Sequence, residues 1–153
     1  MISAPERVLQ SIENTGNEVL TRTFADENPL NILIADDNFV NQKLMERILS
    51  RLGYQTDAVS DGSEVLNSLN KKKYNVILMD VRMPEMDGLE TTQAIRQMRV
   101  NQPYIIALTA NGMPTDREDC LKAGMNEYIL KPICVEEVMT KLKIAADFCS
   151  TNK

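Results

Sequence analysis

Four short apolar runs, NILIA (31–35), NVILMD (75–80), YIIALTA (104–110) and EYILK (127–131), are separated by stretches long enough for a helix, and this alternation constrains the chain most. Each run stays apolar on consecutive residues, the pattern of a strand covered on both faces rather than one. A weaker run, YQTDAV (54–59), alternates polar and apolar residues and reads as an edge strand. Parallel strands need long crossovers, and the intervening segments carry helix signals. The first such helix is expected from Phe39 to Leu52, with Val40, Leu44, Ile48 and Leu52 on one stripe, Asn38 as N-cap and Gly53 as the stop. Asp61-x-x-Glu64, Asp87-x-x-Glu90 and Thr115-x-x-Glu118 look like capping boxes before three more, the last stopping at Gly124. A fifth covers about Val135 to Phe148, with Val138, Met139, Leu142 and Ala145 inward. The fold class is therefore α/β, a doubly wound parallel sheet with helices on both faces and right-handed crossovers.

Residues 1–29 are a different material, polar and acidic, ending in the turn signal Asn28-Pro29. They are expected to be a linker or the remnant of an upstream domain, with the folded domain spanning 30–150. Composition then narrows the chemistry. The 153 residues contain no histidine, which excludes a Ser/His/Asp triad, a Cys/His nucleophile and a His-ligated metal within the chain. A net charge of −5 argues against a duplex-binding surface, so no nucleic-acid partner is expected. Cys120, Cys134 and Cys149 lack C-x-x-C spacing and suit free thiols in a reducing compartment. No apolar run approaches the roughly 18 residues of a membrane span. This segment is expected to be cytoplasmic and to make no membrane contact, while a parent protein containing it is free to be membrane-anchored. The nine methionines are expected to fill the core.

In an open parallel sheet, ligands bind beyond the carboxyl ends of the strands. Asp36 and Asp37 follow the first strand, Asp80 ends the third, Thr109 ends the fourth, and Lys131-Pro132 follows the fifth. Three carboxylates, a hydroxyl and an ammonium thus converge on one edge. The carboxylates would repel one another and raise each other's pKa, so they call for a counter-ion. A hard divalent cation with oxygen ligands fits best, and Mg²⁺ would leave room for a phosphoryl oxygen. With Lys131 as a fixed charge and Thr109 as a donor, the group suits stabilisation of a transferring phosphoryl group. Asp80, ending a buried strand at the centre, is the candidate nucleophile.

The motifs IADDNFVNQKL (34–44), ILMDVRMPEMDG (77–88), ALTA (107–110) and YILKPI (128–133), in this order, resemble the receiver domain of two-component response regulators and hybrid histidine kinases over roughly residues 30–148. The resemblance implies a (βα)5 flavodoxin-like sheet of strand order 2-1-3-4-5, and that Asp80 takes a phosphoryl group from a partner phosphohistidine. It implies that Asp37 and Asp80 hold Mg²⁺ together with the backbone carbonyl of Arg82, with Asp36 assisting through water. It also implies that Thr109 and Lys131 contact the phosphoryl oxygens beside the Ala110 backbone N–H, and that the domain catalyses its own phosphorylation and dephosphorylation. Tyr128 matches an aromatic position that turns inward when Thr109 moves, Arg82 and Asn111 match positions that tune phosphoryl lifetime, and the Lys131-Pro132 bond would be cis.

Asn38, Asn41 and Leu44 form an Asn-x-x-Asn-x-x-Leu run more typical of receivers attached to hybrid kinases. With the linker-like segment on the N-terminal side and no output domain after Lys153, a C-terminal receiver in a multi-step phosphorelay is expected. Its partners would be the phosphohistidine domain of a histidine kinase and a histidine phosphotransfer protein, docking near Phe39, Val40 and Lys43 and at Ile133 and Cys134. Asp87 reads as structural, an N-cap in the turn after Met83-Pro84.

Three rival classes compete with this reading. A haloacid-dehalogenase-type phosphatase needs a second Asp two residues after the nucleophile, where Arg82 stands. A flavodoxin-like cofactor binder needs a phosphate-binding loop after the first strand, where this chain has carboxylates. A non-catalytic pseudo-receiver acting as an interaction module is the alternative function; such domains usually lack an acid, the acceptor or the lysine.

Overall fold

The computed structural model describes residues 24–110 and 114–151. The expectations for residues 1–23 and for Asn111 lie outside the described residues. Five parallel strands, β1 (Ile32–Ala35), β2 (Thr56–Val59), β3 (Val76–Asp80), β4 (Tyr104–Thr109) and β5 (Glu127–Leu130), alternate with five helices. These are α1 (Phe39–Arg51), α2 (Gly62–Lys71), α3 (Gly88–Arg96), α4 (Pro114–Ala123) and α5 (Val135–Thr151). The order across the sheet is β2-β1-β3-β4-β5, so the alternating run does form an edge.

The apolar runs are continuous because each strand feeds two cores. On one face Ile32, Ile34, Val76, Leu78, Tyr104, Ile106, Leu108 and Ile129 pack with Met45, Ile48 and Leu49 of α1 and Val138, Leu142 and Ala145 of α5. On the other, Leu33, Ala35, Ile77, Met79, Ile105 and Ala107 meet Val65 and Leu69 of α2, Ile95 of α3 and Cys120 of α4. Residue parity decides the face. Met45, Met79, Met83 and Met125 are buried in these cores.

Two helix expectations need correction. The buried face of α1 is Gln42, Met45, Ile48 and Leu49, whereas Val40 is 66% exposed and Leu44 only half-buried. A four-residue step overshoots a full turn by about 40°, so the row from Val40 to Leu52 winds about 120° around the helix. Its first member leaves the core while Leu52 stays inside. The fourth helix begins at Pro114, which puts Thr115 within the helix instead of before it. Proline suits the first helical position, where its fixed φ helps and its missing N–H has no partner to lose.

The other start signals act as caps. Asn38, Asp61 and Asp87 accept hydrogen bonds from the N–H groups of Asn41, Glu64 and Glu90 at 3.1, 2.9 and 2.8 Å. Gly53, at φ 101°, ends α1 in a conformation that side chains rarely adopt. Upstream of β1, residues 24–27 are helical, and Phe24 and Ala25 pack against the α1/α5 core.

Candidate functional site

From β1 the chain moves to β2 on one side and later to β3 on the other. The crevice at the carboxyl ends of β1 and β3 is therefore the topological switch point. Asp36 follows β1 directly and is 2% exposed; Asp80 is the last residue of β3 and is 8% exposed; Asp37 faces solvent. One carboxylate oxygen from each of the three lies within 4.8 Å of the others. Lys131 reaches in from the end of β5, its Nζ 3.5 Å from Asp80 Oδ2 and 3.8 Å from Asp36 Oδ2. Its own N–H donates to the Thr109 carbonyl at 2.8 Å, tying the ends of β4 and β5 together. The Lys131-Pro132 bond is cis, as the resemblance implied.

Backbone donors orient both buried acids. Asp36 Oδ1 accepts from the Asn38 N–H at 2.9 Å, and Asp80 Oδ1 accepts from the Arg82 N–H at 3.1 Å. These bonds fix one oxygen of each carboxylate and leave the other facing the crevice. The loop after β3 is held close by Gly88, whose N–H donates to the Val81 carbonyl at 2.9 Å. A Cβ there would stand 2.5 Å from the Asp80 carbonyl oxygen and 2.9 Å from Val81 Cα, so only glycine lets α3 begin beside the acid. Glu85, at φ 65°, is the loop's left-handed residue.

The electrostatics are lopsided. Burial pushes the Asp36 carboxyl up to about 6; the charge of Asp80 adds to the rise, and the Asn38 N–H and Lys131 oppose it. One ammonium faces two buried carboxylates and a third exposed one, which leaves the crevice short of positive charge. All-oxygen donors at this spacing suit a hard cation such as Mg²⁺.

The remaining sequence candidates fall around this centre. Thr109 is half-buried at the end of β4, and Ala110 and Arg82 are exposed beside it. Tyr128, on β5, is half-buried, with the Arg117 guanidinium 4.6 Å from its ring centroid and Lys141 Nζ at 6.0 Å. At the start of α1, Phe39 is 67% exposed, and Lys43 lies 5.1 Å over its ring while pairing with Glu46 at 3.2 Å. With Val40 they form an exposed apolar and basic patch. Ile133 is half-buried against the α1/α5 core, and the exposed Cys134 thiol donates to Glu136. Asp87 caps α3, its carboxylate accepting from the Glu90 N–H at 2.8 Å.

Sequence reasoning missed Gln42. Its buried amide donates to the carbonyls of Asp36 and Val59 and to Ser60 Oγ, so α1 holds the acid loop against the end of β2. The available signal was a polar residue three before Met45, on the face that packs against the sheet.

Comparison with known proteins agrees with this geometry. The response regulator receiver domain family matches residues 32–143. Hybrid signal transduction histidine kinase K of Dictyostelium discoideum is 32% identical over 151 residues, covering 94% of this chain. The chain spans 12% of that relative's length. Among solved structures, the receiver domain of sensor histidine kinase PA1611 from Pseudomonas aeruginosa PAO1, with a magnesium ion in its active-site cleft, is 41% identical with a TM-score of 0.72, over 77% of this chain and 98% of that one. The receiver domain of the Saccharomyces cerevisiae response regulator Ssk1, co-crystallised with the histidine phosphotransfer protein Ypd1, gives 26% identity and a TM-score of 0.69 over 74% and 86% of the two chains. Five parallel strands in the order 2-1-3-4-5, the acids at their switch point and these matches lead to one conclusion: the chain belongs to the response regulator receiver domain family.

Proposed function

We propose that this domain accepts a phosphoryl group on Asp80 from a partner phosphohistidine, as one station of a phosphorelay. The observation that carries the proposal is the convergence of Asp36, Asp37, Asp80 and Lys131 from three strand ends into one crevice. An Asp80 Oδ attacks phosphorus, a P–O bond forms, and the P–N bond to the partner's imidazole breaks. Asp37, Asp80 and the Arg82 carbonyl would hold Mg²⁺, with Asp36 behind them, and the ion would neutralise charge between carboxylate and phosphoryl oxygens. Lys131 supplies a second positive charge, Thr109 a hydroxyl donor and Ala110 a backbone N–H. Positioning and electrostatics suffice for this transfer, which needs no histidine in the acceptor.

The relatives favour a hybrid histidine kinase as the parent. The exposed Phe39, Val40 and Lys43 beside the crevice, with Ile133 and Cys134, would seat a histidine phosphotransfer protein, which takes the phosphoryl group onward. Tyr128 is the residue whose ring would report the change at Thr109. The pseudo-receiver alternative is disfavoured because acids, acceptor and lysine are all present. Among the described residues no helix is long and apolar enough to cross a membrane. The test is transfer of ³²P from a phosphorylated histidine phosphotransfer protein. Label should move to the wild-type chain and stay on the donor with Asp80→Asn; equal labelling of both would refute the assignment.

A further inference from the structure

Residues 24–28, ahead of β1, lie on the C-terminal end of α1. The Ala25 N–H donates to the Leu52 carbonyl at 3.0 Å, and the Tyr54 hydroxyl donates to the Asn28 carbonyl at 2.6 Å. The Phe24 ring meets Tyr54 edge-on at 6.2 Å between centroids. Asn28 closes the turn twice, its backbone N–H and its side-chain amide both donating to the Phe24 carbonyl at 2.9 and 3.0 Å, and Pro29 prevents a further turn. Asn28 and Tyr54 are both buried. Tyr54 is itself anchored to the helix by its N–H to the Leu49 carbonyl at 2.9 Å.

The same helix carries Gln42 near its other end, bonded to the Asp36 carbonyl, the Val59 carbonyl and Ser60 Oγ. A helix of 13 residues is a rod of about 20 Å, stiff enough to transmit a shift along its axis. We infer that the surface of Leu52 and Tyr54 is a seat for residues 24–28, and that this strap couples the chain preceding the domain to α1 and through Gln42 to the acid loop at Asp36. Residues 24–28 are then a docked strap on α1. A pull on it acts first on the helix whose exposed first turn holds Phe39, Val40 and Lys43. That last consequence rests on the proposed phosphorelay function; the coupling itself does not.

The test is amide hydrogen exchange on the full chain, with no phosphoryl donor, comparing wild type with Tyr54→Phe and Phe24→Ala. Tyr54→Phe keeps the ring and removes only the bond to Asn28. In both variants the Ala25 and Asn28 amides should exchange about tenfold faster, as expected for loss of one buried contact, and amides of α1 and of residues 36–38 should follow by a smaller factor while α5 keeps its protection. Unchanged Ala25 and Asn28 amides would overturn the seat. Released strap amides with α1 unaffected, or an equal loss of protection in α1 and α5, would overturn the coupling.

Discussion

The Lys131 ammonium stands 3.5 Å from Asp80 Oδ2, on a residue 51 positions later in the chain, and is one-quarter exposed while the carboxylate is nearly buried. A second buried acid, Asp36, lies 3.8 Å from the same nitrogen. One cation therefore offsets two anions, and removing it leaves both uncompensated.

Lys131→Ala should accordingly lower stability at pH 7 by about 1–2 kcal/mol, less than for a fully buried pair because the ammonium is partly solvated. Labelling of Asp80 should become slower without vanishing, since the carboxylates remain. Urea unfolding and a labelling time course check the two effects separately; a variant as stable and as fast as wild type contradicts the role.

Proton and cation should compete at Asp36. Its folded-state carboxyl sits at about 6, above the ordinary value of 3.8, so between those limits the folded chain binds more protons than the unfolded one. Stability from this group is then greatest below about pH 4 and is lost as pH rises through about 6. Mg²⁺ affinity should run oppositely, improving up to about pH 6 and levelling off, with a loss approaching tenfold per unit below it. Titration of Mg²⁺ by calorimetry at pH 5, 6 and 7.5 checks this; an affinity flat across that range removes Asp36 from the cation's surroundings.

Gln42→Ala removes a buried amide that donates to three acceptors; the Asp36 carbonyl loses this donor, while the Val59 carbonyl keeps the Asp36 N–H at 3.1 Å. The expected cost is about 2 kcal/mol, or a fall in Tm of roughly 4–8 °C. Because the Asp36 loop loses its anchor, Mg²⁺ affinity should fall as well. A fall in Tm with unchanged affinity would mean that the amide supports only the fold.

Strand positions were readable because burial on both faces of a parallel sheet leaves an unbroken apolar run, and Ile77 and Leu78 serve opposite cores. The convergence of Asp36, Asp37, Asp80 and Lys131 was readable for a related reason: each follows or ends such a run. Gln42 was hidden because a buried polar side chain has no periodic signature; only the backbone carbonyls it meets, 6 and 17 residues away, explain it. The stripe on α1 failed at Val40 because a four-residue repeat drifts around a helix. Phe24 and Ala25 lay in a polar stretch, and their partners Leu52 and Tyr54 are brought near by tertiary folding alone.

The most direct measurement is intact mass after incubation with Mg²⁺ and a small phosphoryl donor such as acetyl phosphate or phosphoramidate, with Asp80→Asn and a metal-free sample alongside. The account predicts one base-labile adduct of about 80 Da on the wild-type chain with Mg²⁺, absent from both controls. An adduct of equal yield on Asp80→Asn, or one formed equally without metal, would contradict it.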